Sequence, residues 1–102
     1  MNAIQAQARA DLLKSLAHPT RILILEALSR GDCCVNDLRS LAATSQPTIS
    51  RHLDKLKKAG IVTERRAGPK VIHHLACPCM LKALDCTCEA LKSVTKRRNQ
   101  AV

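Results

Sequence analysis

The sequence predicts a mostly helical domain carrying one small β-hairpin, and two observations lead to that expectation. Apolar residues recur at three- and four-residue spacing through most of the chain. After Gly60 the period changes to two, and a second period-two run follows Ala67-Gly68-Pro69. No Phe, Tyr or Trp is present, so Leu, Ile, Val, Ala and Met must build the core. The 102 residues read as one domain, 1–102. A chain of this size buries about two-thirds of its unfolded surface, so a second subunit would add to a small core.

The elements follow in order. Ile4, Ala8, Leu12 and Leu16 share one face of a first helix, which His18-Pro19 ends. Pro19 suits the first turn of a second helix, with Ile22, Leu23, Leu25 and Leu28 as its apolar positions and Gly31 as its cap. Asp32 is a good N-cap for a short third helix from about Cys33 to Ala43, burying Leu38, Leu41 and Ala42. Thr44-Ser45-Gln46-Pro47 is a tight polar connection to a fourth helix, about 46–59, that stops at Gly60. Residues 61–66 and 70–75 read as the hairpin strands. Pro78 opens a last helix, about 79–96, followed by a basic tail, 97–102, with Lys96-Arg97-Arg98 expected to fray. The expected order is α-α-α-α-β-β-α.

Seventeen Lys and Arg oppose eight Asp and Glu, a formal charge of +9. Such a domain favours a polyanion, either nucleic acid or an anionic membrane surface; a basic ribosomal accessory protein would share this balance. No apolar run approaches the ~20 residues that cross a bilayer. Met1 to Arg9 lacks the basic-then-apolar order of a signal peptide. The expectation is therefore a cytoplasmic protein with no membrane partner. Six cysteines would suggest disulfides in a secreted chain, but in a reducing compartment they read as metal ligands or redox sensors.

The fourth helix carries the most specific signal. Ile49, Leu53 and Leu56 form an apolar stripe, while Thr48, Arg51, His52 and Lys55 form a polar, largely basic one. A helix with that division suits the DNA major groove: Arg51 has the geometry for guanine, and Thr48 and Ser50 for phosphate or a base edge. Ser45 and Gln46 lie at its start. The short turn before it matches a helix-turn-helix. Arg65, Arg66 and Lys70 cluster at the hairpin, where a wing would touch the backbone or minor groove. Winged helix-turn-helix is thus the expected architecture.

These segments resemble a known family. Leu13-Lys14-Ser15-Leu16-Ala17-His18-Pro19-Thr20-Arg21-Ile22 resembles the opening of the ArsR/SmtB repressors. Ser45-Gln46-Pro47-Thr48-Ile49-Ser50-Arg51-His52-Leu53 is similar to their recognition helix, and Gly60-Ile61-Val62 with Arg65-Arg66 and Gly68 to their wing. The resemblance covers about Leu12 to Leu75. It implies a homodimeric, non-enzymatic repressor that binds a double-stranded operator, an imperfect inverted repeat, and leaves it when an inducer binds.

The cysteines occur as Cys33/Cys34, Cys77/Cys79 and Cys86/Cys88. Multiple thiolates select arsenite, antimonite, cadmium, lead, zinc or copper(I); thiols also sense oxidants and reactive sulfur. In the first turn of the third helix, Cys33 and Cys34 would be acidified by the helix dipole, as would Cys79 at the start of the last. By analogy with winged folds, Cys33/Cys34 and Cys77/Cys79 would meet in one subunit and surround one ion. Cys86 and Cys88 point about 200° apart on a helix, so they do not chelate together. Leu81, Leu84, Cys88 and Leu91 form a packing seam that would serve sensing and dimerisation, with Cys86 exposed. His73 and His74 alternate across a strand, so at most one faces any given site.

Cys34-Val35-Asn36-Asp37-Leu38 resembles the family's Cys-Val-Cys-Asp-Leu metalloid motif, with Asn36 in place of the second cysteine and Cys33 additional. The family's zinc site of Asp, His and Glu on the last helix is not evident. The leading reading is a repressor released by a thiophilic ion, arsenite or antimonite first. Another keeps the DNA and replaces the ion with a dithiol switch, needing no bound metal. A third, of another class, is a cysteine-rich metal-buffering protein, which predicts no operator affinity. Nothing pairs a nucleophile with a base and an orienting acid, as an enzyme would require.

Overall fold

A computed structural model describes residues 1–41 and 44–100. The elements are α1 (Ala3–Leu16), α2 (Pro19–Arg30), β1 (Cys33–Cys34), α3 (Val35–Arg39), α4 (Gln46–Lys58), β2 (Val62–Ala67), β3 (Lys70–Leu75) and α5 (Cys79–Gln100). Three helices begin where a side chain takes over unpaired amides. Asn2 and Gln5 form a reciprocal capping box on α1. His18 Nδ1 accepts from the Thr20 amide at 3.1 Å to open α2, and Ser45 Oγ accepts from the Thr48 amide at 3.4 Å to open α4.

The core is aliphatic and centred on α4. Ile49, Leu53 and Leu56 are buried against Ile24, Leu25 and Leu28 of α2. Ala27 is buried as well, whereas Ile22 and Leu23 of the expected stripe are exposed. The buried stripe begins at Ile24 because α2 packs on both α4 and β3, and residues 24, 25, 27 and 28 span the arc that meets both. In α1 only the C-terminal part reaches the core: Leu16 is buried, Leu12 half-buried and Ile4 82% exposed.

The expected third helix begins differently. Cys33 and Cys34 are extended and pair with β3, in the register Cys33↔His73 and Cys34↔Ile72. The hairpin thus becomes a three-stranded antiparallel sheet ordered β1-β3-β2. Pairing with the free edge of β3 satisfies backbone groups that would otherwise be left open. Cys34, not Asp32, is the N-cap, with backbone φ −90° and ψ 170°. The Asp37 carboxylate accepts from the Cys34 amide at 3.0 Å and from its thiol at 3.2 Å. The helix that follows has five residues and buries Leu38. Leu41 is half-buried; Ala42 and Ala43 of the expected helix lie outside the described residues.

One turn fixes the hairpin to α4 and a second closes its far end. Gly60, at φ +79°, follows the helix. Its amide bonds the Lys57 carbonyl, and the Ile61 amide bonds the Leu56 carbonyl, both at 3.0 Å. This is a Schellman cap, closed by the buried pair Leu56 and Ile61. β2 therefore starts at Val62, one residue later than the period alone suggests. At the far end Ala67 pairs with Lys70 across Gly68-Pro69. Gly68 has φ +65° and proline is held near −65°, the signs of a type II′ hairpin turn. The last helix continues to Gln100, so Lys96, Arg97 and Arg98 are helical rather than frayed. No described helix is long and apolar enough to cross a membrane.

Leu56→Ala is expected to destabilise the fold by about 2–5 kcal/mol, and Gly60→Ala by about 1 kcal/mol through the left-handed backbone. Urea unfolding followed by circular dichroism, at fixed protomer concentration, checks both values.

Candidate nucleic-acid interface

Burial of Ile49, Leu53 and Leu56 turns the opposite face of α4 outward. Ser45, Gln46, Arg51 and Lys55 are exposed, while Thr48, Ser50 and His52 are half-buried. The polar stripe Thr48, Arg51, His52 and Lys55 lines one open cleft, as its spacing predicts, and Arg21 of α2 joins it. At the helix start, Thr48 Oγ1 lies 3.0 Å from Ser45 Oγ and accepts from Arg51 Nη2 at 3.4 Å. The helix thus opens with a pre-arranged donor–acceptor cluster.

Sequence reasoning did not place Arg21 at this site. Its Nε donates to His52 Nδ1 at 3.1 Å and its Nη1 to the Ser15 carbonyl at 3.0 Å. Nothing in the α2 pattern announces a partner 31 residues away. The His18 ring lies against His52, with centroids 4.3 Å apart. Burial, then the neighbouring His18, Arg21 and Arg51, push His52 below its ordinary 6.5.

The hairpin divides its charges by face, because directly paired residues point the same way. Arg66 and Lys70 are exposed near the tip and make no ion pair among the described residues. Arg65, expected beside them, is held by Asp32 at 2.7 Å. His74 Nδ1 lies 2.8 Å from the other oxygen of that carboxylate. The bonds from His74 and then Arg65 hold the Asp32 carboxyl below its ordinary 3.8. On the opposite face Glu64 accepts from Lys57 Nζ at 3.0 Å and meets His73 Nε2 at 3.4 Å. His73 is 5% exposed and His74 is open, the alternation expected of a strand.

The thiols are dispersed. Cys34 is buried, Cys33 and Cys77 are half-buried, and Cys79, Cys86 and Cys88 are exposed. Cys33 is not acidified: burial, followed by Asp37, Cys34 and Asp32, pushes its thiol up. The helix-dipole expectation fails there because the residue is in a strand. The two thiol pairs expected to meet are also apart. Cys33 stands opposite His73 on the β3 edge away from β2, and Cys77 lies past the end of β3 at Leu75. The Cys77 thiol instead donates to the Gly60 carbonyl at 3.5 Å. Among the described residues no three His, Cys, Asp or Glu side chains gather to hold a metal. Cys88 and Leu91, on the expected seam, are exposed in the single chain, whereas Leu81 and Leu84 pack on the core.

Residues 18–64 match the model of a family described as bacterial regulatory protein, arsR family. The HTH-type transcriptional repressor SmtB of Mycobacterium tuberculosis is 42% identical over 69 residues, covering 68% of this chain and 51% of that protein. The chain therefore spans about half the length of that curated relative. The crystal structure of M. tuberculosis Rv0081 superposes with a TM-score of 0.79 at 31% identity, covering 96% of this chain and 98% of that one. The antimony-specific transcriptional repressor AntR superposes with a TM-score of 0.77 at 27% identity, covering 93% and 86%.

Asp32 holds two strands of the sheet through one carboxylate, so Asp32→Asn is expected to speed amide exchange at Cys33 and Ile72 at neutral pH. In the parent protein the same loosening is expected only in acid. A carboxyl whose folded pKa is lowered stabilises fully above its unfolded value, about 3.8, and loses that contribution as pH falls through the folded one. Hydrogen exchange corrected for intrinsic rates distinguishes the two proteins.

Proposed function

The chain belongs to the arsR family of bacterial regulatory proteins, and from that premise we propose that it is a homodimeric transcriptional repressor that leaves its operator when its thiols engage an inducer. The observation that carries the DNA reading is the split of α4 into a buried apolar stripe and a cleft-lining basic one. In this reading α4 enters the major groove. Arg51 reads a guanine edge, Gln46, Thr48 and Ser50 meet base edges or phosphates, and Ser45 offers its hydroxyl to the backbone. His52 and Lys55 flank the phosphates. Arg66 and Lys70 of the wing lie along the backbone or minor groove, and Arg65, anchored by Asp32, stiffens the wing while presenting part of its charge.

Exposed apolar side chains on α1 and α5 support the dimer. Ile4 and Leu13 of α1, and Leu91 and Val94 of α5, are open to solvent in one protomer. Burying them on a second copy is favourable at about 25 cal/mol per Å². Two wings related by a two-fold axis fit an imperfect inverted repeat.

The inducer proposed first is arsenite or antimonite, with cadmium, lead or zinc after it, through Cys33, Cys34, Cys77 and Cys79, and then Cys86 and Cys88. Six free thiols in a reduced chain, and the likeness to a repressor named for antimony, support it. Among the described residues one protomer does not bring three donors together, so this reading draws thiols from both subunits. The same dispersal favours a second reading, a dithiol switch closed by oxidants or reactive sulfur, which needs only two cysteines.

Fluorescence anisotropy of a labelled duplex from the gene's own upstream region tests the proposal. Arg51→Ala is expected to weaken specific binding by about 1–3 kcal/mol, and Arg66→Ala to weaken it on every sequence while lowering the salt slope by about one per protomer. Arsenite added to fully reduced protein is expected to release the duplex. Release by oxidant with indifference to arsenite selects the dithiol switch, and equal affinity for a scrambled duplex overturns the repressor.

A further inference from the structure

The cleft between α2 and α4 contains an arrangement that groove reading does not require. We propose that it is a phosphate site in which a DNA backbone phosphate takes Arg21 away from His52, and His52 takes up a proton in exchange, so that DNA affinity rises as pH falls. The inference rests on the DNA-binding reading above and adds Arg21 to the contact surface.

The hydrogen-bond geometry makes the first argument. Arg21 Nε donates to His52 Nδ1. That nitrogen is therefore an acceptor, and the ring is neutral with its proton on Nε2. A charged His52 carries a proton on both nitrogens and has no lone pair left for Arg21. Protonation and the Arg21–His52 bond therefore exclude each other. A phosphodiester oxygen replaces His52 as the acceptor of the guanidinium, forming the stronger charge-assisted bond. The vacated Nδ1 lone pair then takes a proton from solvent, and its N–H becomes a second donor to the same phosphate.

Charge makes the second argument. The groups that bear on His52 are the His18 ring from the α1–α2 connection, Arg21 from α2, and Arg51 on its own helix. Lys55 lines the same cleft. From α1 the contact is the neutral Ser15 carbonyl, which accepts from Arg21. The α1 carboxylate, Asp11, accepts from Gln7 and lines a different groove. Arg21, Arg51 and Lys55 make no ion pair among the described residues. In the free protein a charged His52 would meet the Arg21 and Arg51 cations, with no carboxylate among the groups that bear on it. A phosphate supplies the missing anion and reverses the balance.

The test is the pH dependence of binding to the labelled upstream duplex, between about pH 5.5 and 8, at fixed salt. Affinity is expected to rise as pH falls, by up to about tenfold per pH unit for each protomer engaged. Calorimetry in buffers of different ionisation enthalpy should report net proton uptake. His52→Gln keeps an acceptor for Arg21 but does not titrate, so its profile should be flat. The His52 ring signals in the unmutated protein, followed by NMR, should show a higher pKa on DNA than off it. Specific binding with no pH dependence, an unchanged His52 titration on DNA, or a wild-type slope retained in His52→Gln each overturns the proton-linked site while leaving the repressor standing. Absence of sequence-specific binding at every pH overturns the DNA reading and this inference with it.

Discussion

Everything on the exposed face of α4 is held in place by what the opposite face buries. With no aromatic ring in the chain, the core consists of branched aliphatic side chains, each making small dispersion gains that sum only when packing is tight. Ile49 and Leu56 are fully buried and Leu53 nearly so. Rotating α4 by one residue, about 100°, would expose that stripe and bury Lys55 in one direction or Asp54 and Lys57 in the other. The hydrophobic cost of the wrong rotation is what aims the basic face at solvent. The Schellman cap at Gly60 carries that orientation into the hairpin, because Ile61 and Val62 are buried in the same core.

The charges divide into two sets. Among the described residues, Asp32 and Glu64 are committed to the sheet, through Arg65 and His74 on one face and Lys57 and His73 on the other. Arg51 and Lys55 of α4 and Arg66 and Lys70 near the wing tip make no ion pair among the described residues. Ion pairs exposed to this degree add little stability individually. Their effect here is positional: two carboxylates fix the wing, and the remaining positive charge faces outward.

The long elements were legible in the sequence because their patterns are local. The α4 stripe, the change of period at Gly60, the first-turn Pro19 and the cap at Gly31 each lie within one turn of the residues they control. The third segment was not legible. Asp32 before an apolar run has the look of an N-cap, but a two-residue strand is specified by its partner, β3, nearly forty residues on, and leaves no periodic trace. The same error misjudged the Cys33 thiol, whose environment follows from the strand rather than from a helix dipole. Arg21 escaped notice for a related reason: its acceptor is brought near by the packing of α2 on α4, which α2's own sequence does not encode. The gathering of Cys33/Cys34 with Cys77/Cys79 was expected by analogy, and the register of β1 against β3 sets them apart.

The turn at Gly68-Pro69 limits how this wing can change over evolutionary time. A two-residue loop leaves no slack between strands whose faces are already assigned, with Glu64 inward toward His73 and Arg65 outward toward Asp32. A single inserted residue in either strand would invert every side chain between the insertion and the tip, exchanging a buried contact for an open one. Length can be added without that inversion only as matched pairs, two residues in each strand, or roughly 7 Å at a time. The reach of the hairpin is therefore quantised, and lineages that lengthen or shorten it must do so in whole steps.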